Sequence, residues 1–180
     1  MANQKSPAAF ALFLLTIFTS AFLLFQVQPL ISKYILPWFG GSPAVWTTCM
    51  LFFQLVLFGG YVYSHLLVAR LSPKWQAITH ITLLATALAF LPISPNEAWK
   101  PDDASNPAMR IMTLLAATVG LPYFILSSTG PLLQCWFLKA VPGQSPYRLY
   151  ALSNVGSLLA LLTYPFVFEP SFTTQIQTQL

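Results

Sequence analysis

The chain has 180 residues, of which 56% are hydrophobic and 7% charged, with a mean hydropathy of +0.67. Water-soluble domains carry about 25% charged residues, so a soluble globule is excluded and the solvent is lipid. The formal charge of +4 rests on eight Lys and Arg against four acids. That is too few cations for a nucleic-acid-binding face, which leaves them as orientation signals for a membrane protein.

In chain order, residues 1–7 form a short polar lead with Lys5, and an apolar run follows over 8–30. A secretory h-region is shorter, about 7–15 residues, and no small-x-small cleavage site follows, so this reads as an uncleaved first span. Residues 31–42, with Lys33, Tyr34 and Trp38, are expected to lie along the interface. The second span is 44–70, and the Ser72-Pro73 turn sends the chain back into a third, weaker span over 75–92, diluted by threonines and His80. Residues 93–107 hold Glu97, Asp102 and Asp103 and read as an exposed loop.

From Met109 the chain stays apolar for 33 residues to Val141, whereas a bilayer core of ~30 Å takes ~20 helical residues. Breaks are expected at Gly120, Pro122 and Gly130-Pro131, giving a fourth span over 109–130 and a second interfacial segment over 131–144. A fifth span covers 146–168. With the N-terminus in the cytoplasm, Lys5, Arg70, Lys74, Lys139 and Arg148 lie inside and Lys33, Lys100 and Arg110 outside, as the positive-inside rule favours. The tryptophans at 38, 46, 75, 99 and 136 then sit near span ends or in the outer loop.

The two halves repeat. Gln28-Pro29-Leu30-Ile31 leads to Gly41-Ser42-Pro43, and Gly130-Pro131-Leu132-Leu133 leads to Ser145-Pro146. Pro29 and Pro131 stand 102 residues apart, and Ser42 and Ser145 stand 103 apart. Three spans separate equivalent positions, so the copies run in opposite directions through the bilayer, as in many secondary transporters. The predicted fold is an all-α integral membrane protein of five transmembrane helices, an incomplete 3+3 inverted repeat resembling half of a major-facilitator-like bundle. A partner to the third span would begin near residue 176, so a sixth helix is expected from a longer polypeptide or from another membrane chain.

The stretches FQVQPLISKYILPWFGGSPAVWTTCMLFFQLVLFGGYVYSHLL and LPYFILSSTGPLLQCWFLKAVPGQSPYRLYALSNVGSLLALLTYPFVFEP resemble the membrane-embedded N-terminal region of a bacterial family described as fused major-facilitator-like and spermidine-synthase-like. The resemblance implies that further transmembrane helices and then a soluble aminopropyltransferase-like domain follow. This chain shows no glycine-rich loop with a following acid, so aminopropyl transfer is not carried onto it.

Polar residues inside the apolar runs are where chemistry could reside. Gln26, Gln28 and Gln54, then Ser127, Ser128, Thr129 and Gln134, are candidates for a substrate or ion site at the proline breaks, or for partners of backbone groups that the prolines free. His65 and His80 lie on either side of the Arg70–Lys74 turn and could face one another to hold a haem, another tetrapyrrole or a metal, or else serve as interhelical hydrogen-bond partners. No metal or other cofactor is otherwise expected. Ser153, Asn154, Gly156, Ser157 and Ala160 have the spacing of a close helix contact. Cys49 and Cys135 read as small buried hydrophobes.

The acids all lie outside the apolar runs, which excludes an intramembrane acid–base pair or Ser-His-acid set. The expectation is a non-enzymatic integral membrane subunit with a transporter-like fold, packing in or against a larger complex of membrane chains and lipid in a bacterial inner membrane. The alternative is the membrane portion of a transporter for a small polar metabolite such as a polyamine.

Overall fold

A computed structural model describes residues 7–96, 99–100, 106–141 and 145–179, and within these every regular element is helical. The elements are α1 (Pro7–Ile35), extended by a 3₁₀ turn over Leu36–Trp38, α2 (Pro43–Arg70), α3 (Pro73–Leu88), α4 (Pro107–Ala140), α5 (Tyr147–Ser171) and a short α6 (Thr174–Gln179). Lys5, Glu97, Asp102, Asp103 and residues 142–144 lie outside the described residues.

Three helices start by one device. Ser42-Pro43, Ser72-Pro73 and Asn106-Pro107 each place a proline at the first helical position, where its missing N–H is not needed and its fixed φ suits the helix. Ser42 also accepts from the Val45 amide at 3.5 Å. The reversal before it uses Gly40 and Gly41 at φ 85° and 61°, a left-handed region open to glycine at little cost. Asn106, at φ 47°, makes the equivalent turn before α4.

Among the described residues, which form only helices, four helices are by length and composition able to cross a membrane, as in an integral membrane protein: Ala8–Trp38, Pro43–Arg70, Pro107–Ala140 and Tyr147–Ser171. The expected third span stops at Leu88, leaving α3 with 16 residues. At 1.5 Å per residue that is about 24 Å, and the non-helical stretch through Ile93, which joins the main core, carries the chain on to the end where α4 begins.

The expected stop at Gly130-Pro131 is also absent. Residues 131–140 prolong α4, and they are not peripheral, because Leu132 and Phe137 are almost wholly buried. Proline removes one backbone bond, the one that would reach the Ser127 carbonyl, while beside it Ser64 Oγ shares its proton between the Ser128 carbonyl at 2.8 Å and the Gly60 carbonyl at 2.9 Å and ties α2 to α4. The irregularity in α4 lies earlier, as a π-helical turn over Ala116–Gly120, and a second such turn spans Tyr164–Phe168 of α5 beside Pro165. Likewise α1 runs through Pro29 to Ile35.

The long helices pack in the order α2, α4, α1, α5, with α3 laid against α4. Phe10 and Phe13 of α1 meet Phe137 of α4 at ring distances of 5.7 and 5.6 Å. Trp136 Nε1 donates to Gln76 Oε1 at 2.8 Å, bringing the start of α3 to the same end. At the opposite end Lys33 of α1 pairs with Glu169 of α5 at 2.5 Å. The main core between these ends comprises Ile31, Ile35, Cys49, Phe53, Ile111 and Tyr123, with the Phe53 and Tyr123 rings 4.8 Å apart.

Two glycines set the closest approaches. A Cβ on Gly60 would lie 2.1 Å from Ser127 Oγ and 3.1 Å from the Ser128 amide nitrogen, and one on Gly156 would lie 2.9 Å from the Phe18 carbonyl oxygen. Gly60→Ala and Gly156→Ala are each expected to lower unfolding stability in detergent by about 1–3 kcal/mol through overpacking. Gly130→Ala, where nothing lies within 4 Å, is expected to be neutral or stabilising, since alanine is the better helix former by about 1 kcal/mol. Thermal unfolding of the three variants measures this.

Candidate functional site

A groove of about 530 Å³ opens among the four long helices, in the half of the bundle toward Phe137, and each helix contributes polar side chains to it. Ser20 comes from α1, Tyr61, Ser64 and His65 from α2, Ser127 and Gln134 from α4, and Ser153, Asn154 and Ser157 from α5. Ile17, Leu24, Leu57 and Leu126 supply apolar wall. Its lining includes no Lys, Arg or carboxylate.

Helical periodicity accounts for the convergence. Tyr150, Ser153, Asn154 and Ser157 stand at i, i+3, i+4 and i+7, and so do Ser127, Gly130, Pro131 and Gln134. Each set therefore projects from one helix face. Pro131 and Gly130 keep the α4 wall low, so the groove passes over the stretch where a break was expected. Several hydroxyls are already committed to the backbone: Ser127 donates to the Phe124 carbonyl at 2.8 Å and Ser157 to that of Ser153 at 3.0 Å. Their oxygens still have acceptor capacity toward a guest.

Of the sequence candidates, Ser127, Gln134, His65, Ser153, Asn154 and Ser157 meet in this groove. Ser20, Tyr61, Ser64 and Tyr150 line it too and were missed, although their spacing from the named residues could have found them. Gly156 and Ala160 are buried and make the close helix contact, so the small-residue set divides between packing and groove. Gln54 is exposed.

The other candidates join separate hydrogen bonds. Gln28 Nε2 donates to the Tyr123 hydroxyl at 2.5 Å, and Gln26 Nε2 donates to the Ala160 carbonyl at 3.2 Å and Thr163 Oγ1 at 3.0 Å, tying α1 to α4 and to α5. Ser128 and Thr129 both donate to the Ile125 carbonyl, at 3.0 and 2.7 Å.

The two histidines do not face one another. His80 is buried with its Nε2 3.2 Å from Thr129 Oγ1, its ring stacked on Tyr63 and edge-on to Trp136. Because the Thr129 hydroxyl proton goes to Ile125, the Thr129 oxygen accepts from a protonated His80 Nε2. His65 lies two residues beyond Tyr63, and two helical steps turn a side chain by about 200°, so it points into the groove and away from His80. The expected haem- or metal-holding pair is therefore not assembled, and among the described residues no group of three or more His, Cys, Asp or Glu could hold a metal.

Chemically, the groove offers hydroxyl, carboxamide and imidazole groups on an apolar frame. It can exchange donors and acceptors with an uncharged polar guest, while a full charge would enter without a counter-charge. No family model, curated protein or solved structure matches the chain.

The Gln28–Tyr123 bond tests how far the polar groups outside the groove serve structure. Tyr123→Phe removes the acceptor and is expected to cost about 1–3 kcal/mol of unfolding stability. Gln54→Leu, at an exposed position, is expected to stay within about 0.5 kcal/mol. Chemical denaturation in detergent measures both.

Proposed function

We propose that this chain is a non-enzymatic, multi-pass membrane protein of transporter-like build that binds a small uncharged polar solute in the groove among its four long helices. The observation that carries the reading is the convergence of polar side chains from all four helices on one groove without a fixed charge. In lipid, unsatisfied polar groups are costly, and irregular or polar surface is retained where it lines a cavity.

An inverted repeat gives this arrangement a rationale. If α1 and α2 exchange with α4 and α5, the α1–α5 pairing maps onto the α4–α2 pairing, and these are the two most extensive helix contacts in the bundle. Sites at the junction of such repeats are the usual binding places in secondary transporters. Of the two solute classes, a polyamine would bring several positive charges to a groove whose lining includes no carboxylate, so a neutral solute is favoured. The subunit reading rests on exposed apolar residues of α5 such as Leu158, Leu162 and Phe166, which contact with lipid explains equally well.

The same reading places the N-terminus in the cytoplasm of a bacterial cell, with Arg70, Lys74, Lys139 and Arg148 on the inner side and Lys33 and Glu169 on the outer side. Lys33→Cys and Ser145→Cys are then expected to react with an impermeant maleimide from opposite faces of the membrane, and reaction of both from one face would refute the arrangement.

Binding is tested with the purified chain in proteoliposomes and labelled glycerol, erythritol, mannitol and inositol, set against spermidine. At least one polyol is expected to be retained in preference to spermidine. Gln134→Leu and Asn154→Leu, each removing hydrogen bonds of about 1 kcal/mol, are expected to weaken retention by roughly fivefold to tenfold. Preference for spermidine, or no retention of any polyol, would sink the reading.

A further inference from the structure

A second groove, of about 840 Å³, lies in the other half of the bundle, toward the Lys33–Glu169 pair. Its chemistry is different. Phe22, Leu30, Ile93, Pro122, Leu126 and Phe168 make a largely apolar lining over which α6 folds back.

Two lining side chains keep a buried polar atom without a hydrogen-bond partner among the described residues: Tyr164 Oη and Gln177 Oε1. Both residues are at least nine-tenths buried. Which atom of the Gln177 amide is the oxygen follows from its bonds, since Nε2 donates to the Phe168 carbonyl at 3.2 Å and the Phe172 carbonyl at 2.7 Å. Its oxygen is therefore left as a bare acceptor, while the Tyr164 hydroxyl has a proton to donate. Buried polar atoms are rarely left unpaired, and an orphan calls for a missing partner.

We infer that this groove holds an uncharged single-chain amphiphile with a hydroxyl head, of the long-chain alcohol or monoacylglycerol class. Its chain occupies the apolar lining, and its hydroxyl donates to Gln177 Oε1 while accepting from Tyr164 Oη after a small turn of the two side chains. A simple ester or quinone head only accepts, so it satisfies Tyr164 and leaves Gln177 unpaired. A carboxylate also only accepts, and it adds a charge where the lining offers no cation. Of these heads, the hydroxyl supplies both halves of the exchange. The inference is independent of the solute reading, because it concerns a different groove in the opposite half of the bundle.

The test uses the full chain in detergent micelles, with 1-monooleoylglycerol and oleyl alcohol as probes and methyl oleate and oleate as chain-matched controls. The two hydroxyl probes are expected to raise the melting temperature by about 5 °C near saturation, and the controls to have much smaller effects. Tyr164→Phe, which keeps the ring and removes the donor, is expected to weaken binding of both hydroxyl probes about fivefold. Leu23→Trp, at the exposed rim of the groove, is expected to block binding while the chain stays folded. Ser153→Ala, in the other groove, is expected to leave binding unchanged. Equal stabilisation by methyl oleate, or a Tyr164→Phe variant that binds the probes like the parent, would overturn the inference.

Discussion

The crossing of α2 and α4 at Gly60 is the contact on which the rest of the bundle depends. Because Gly60 has no side chain, Ser127 and the Ser128 backbone can come within van der Waals range of it, and one turn later Ser64 can reach the Ser128 carbonyl. That bond lies within a turn of Pro131, and α4 runs on through the proline to Ala140 with Leu132 and Phe137 in the interior.

Along the continuous helices the polar groups divide into two sets. Gln26, Gln28, Ser128 and Thr129 spend hydrogen bonds on neighbouring helices or on the turn before them. Gln134, Asn154, His65 and their neighbours face a shared space instead. The two grooves differ in the same way: one is bordered by many small polar side chains without charge, the other by apolar side chains with two polar atoms that have no partner among the described residues. They lie in opposite halves of the bundle and share Leu126 as a lining residue.

Several expectations read from spacing alone failed for a common reason. A proline preceded by glycine is a strong local signal for a helix stop, yet α4 runs through Gly130-Pro131 to Ala140, packed against α2 at Gly60 and Ser64. His65 and His80 are nearly equidistant from one turn, but depth does not determine facing, and His80 is claimed by Thr129, Tyr63 and Trp136. The third apolar run is expected to be helical to residue 92, but its helix ends at Leu88 and the chain continues to Ile93 without regular structure.

By itself the sequence determined the solvent, the helical class and the helix starts at Ser-Pro and Asn-Pro, because composition and proline chemistry act locally and need no partner. It also marked the polar positions along each apolar run. Only the tertiary structure decided which of them converge, whether α4 breaks, and which histidine is buried. Those outcomes depend on the rotation of each helix about its axis and on contacts between residues far apart in the chain, neither of which periodicity within a single helix can specify.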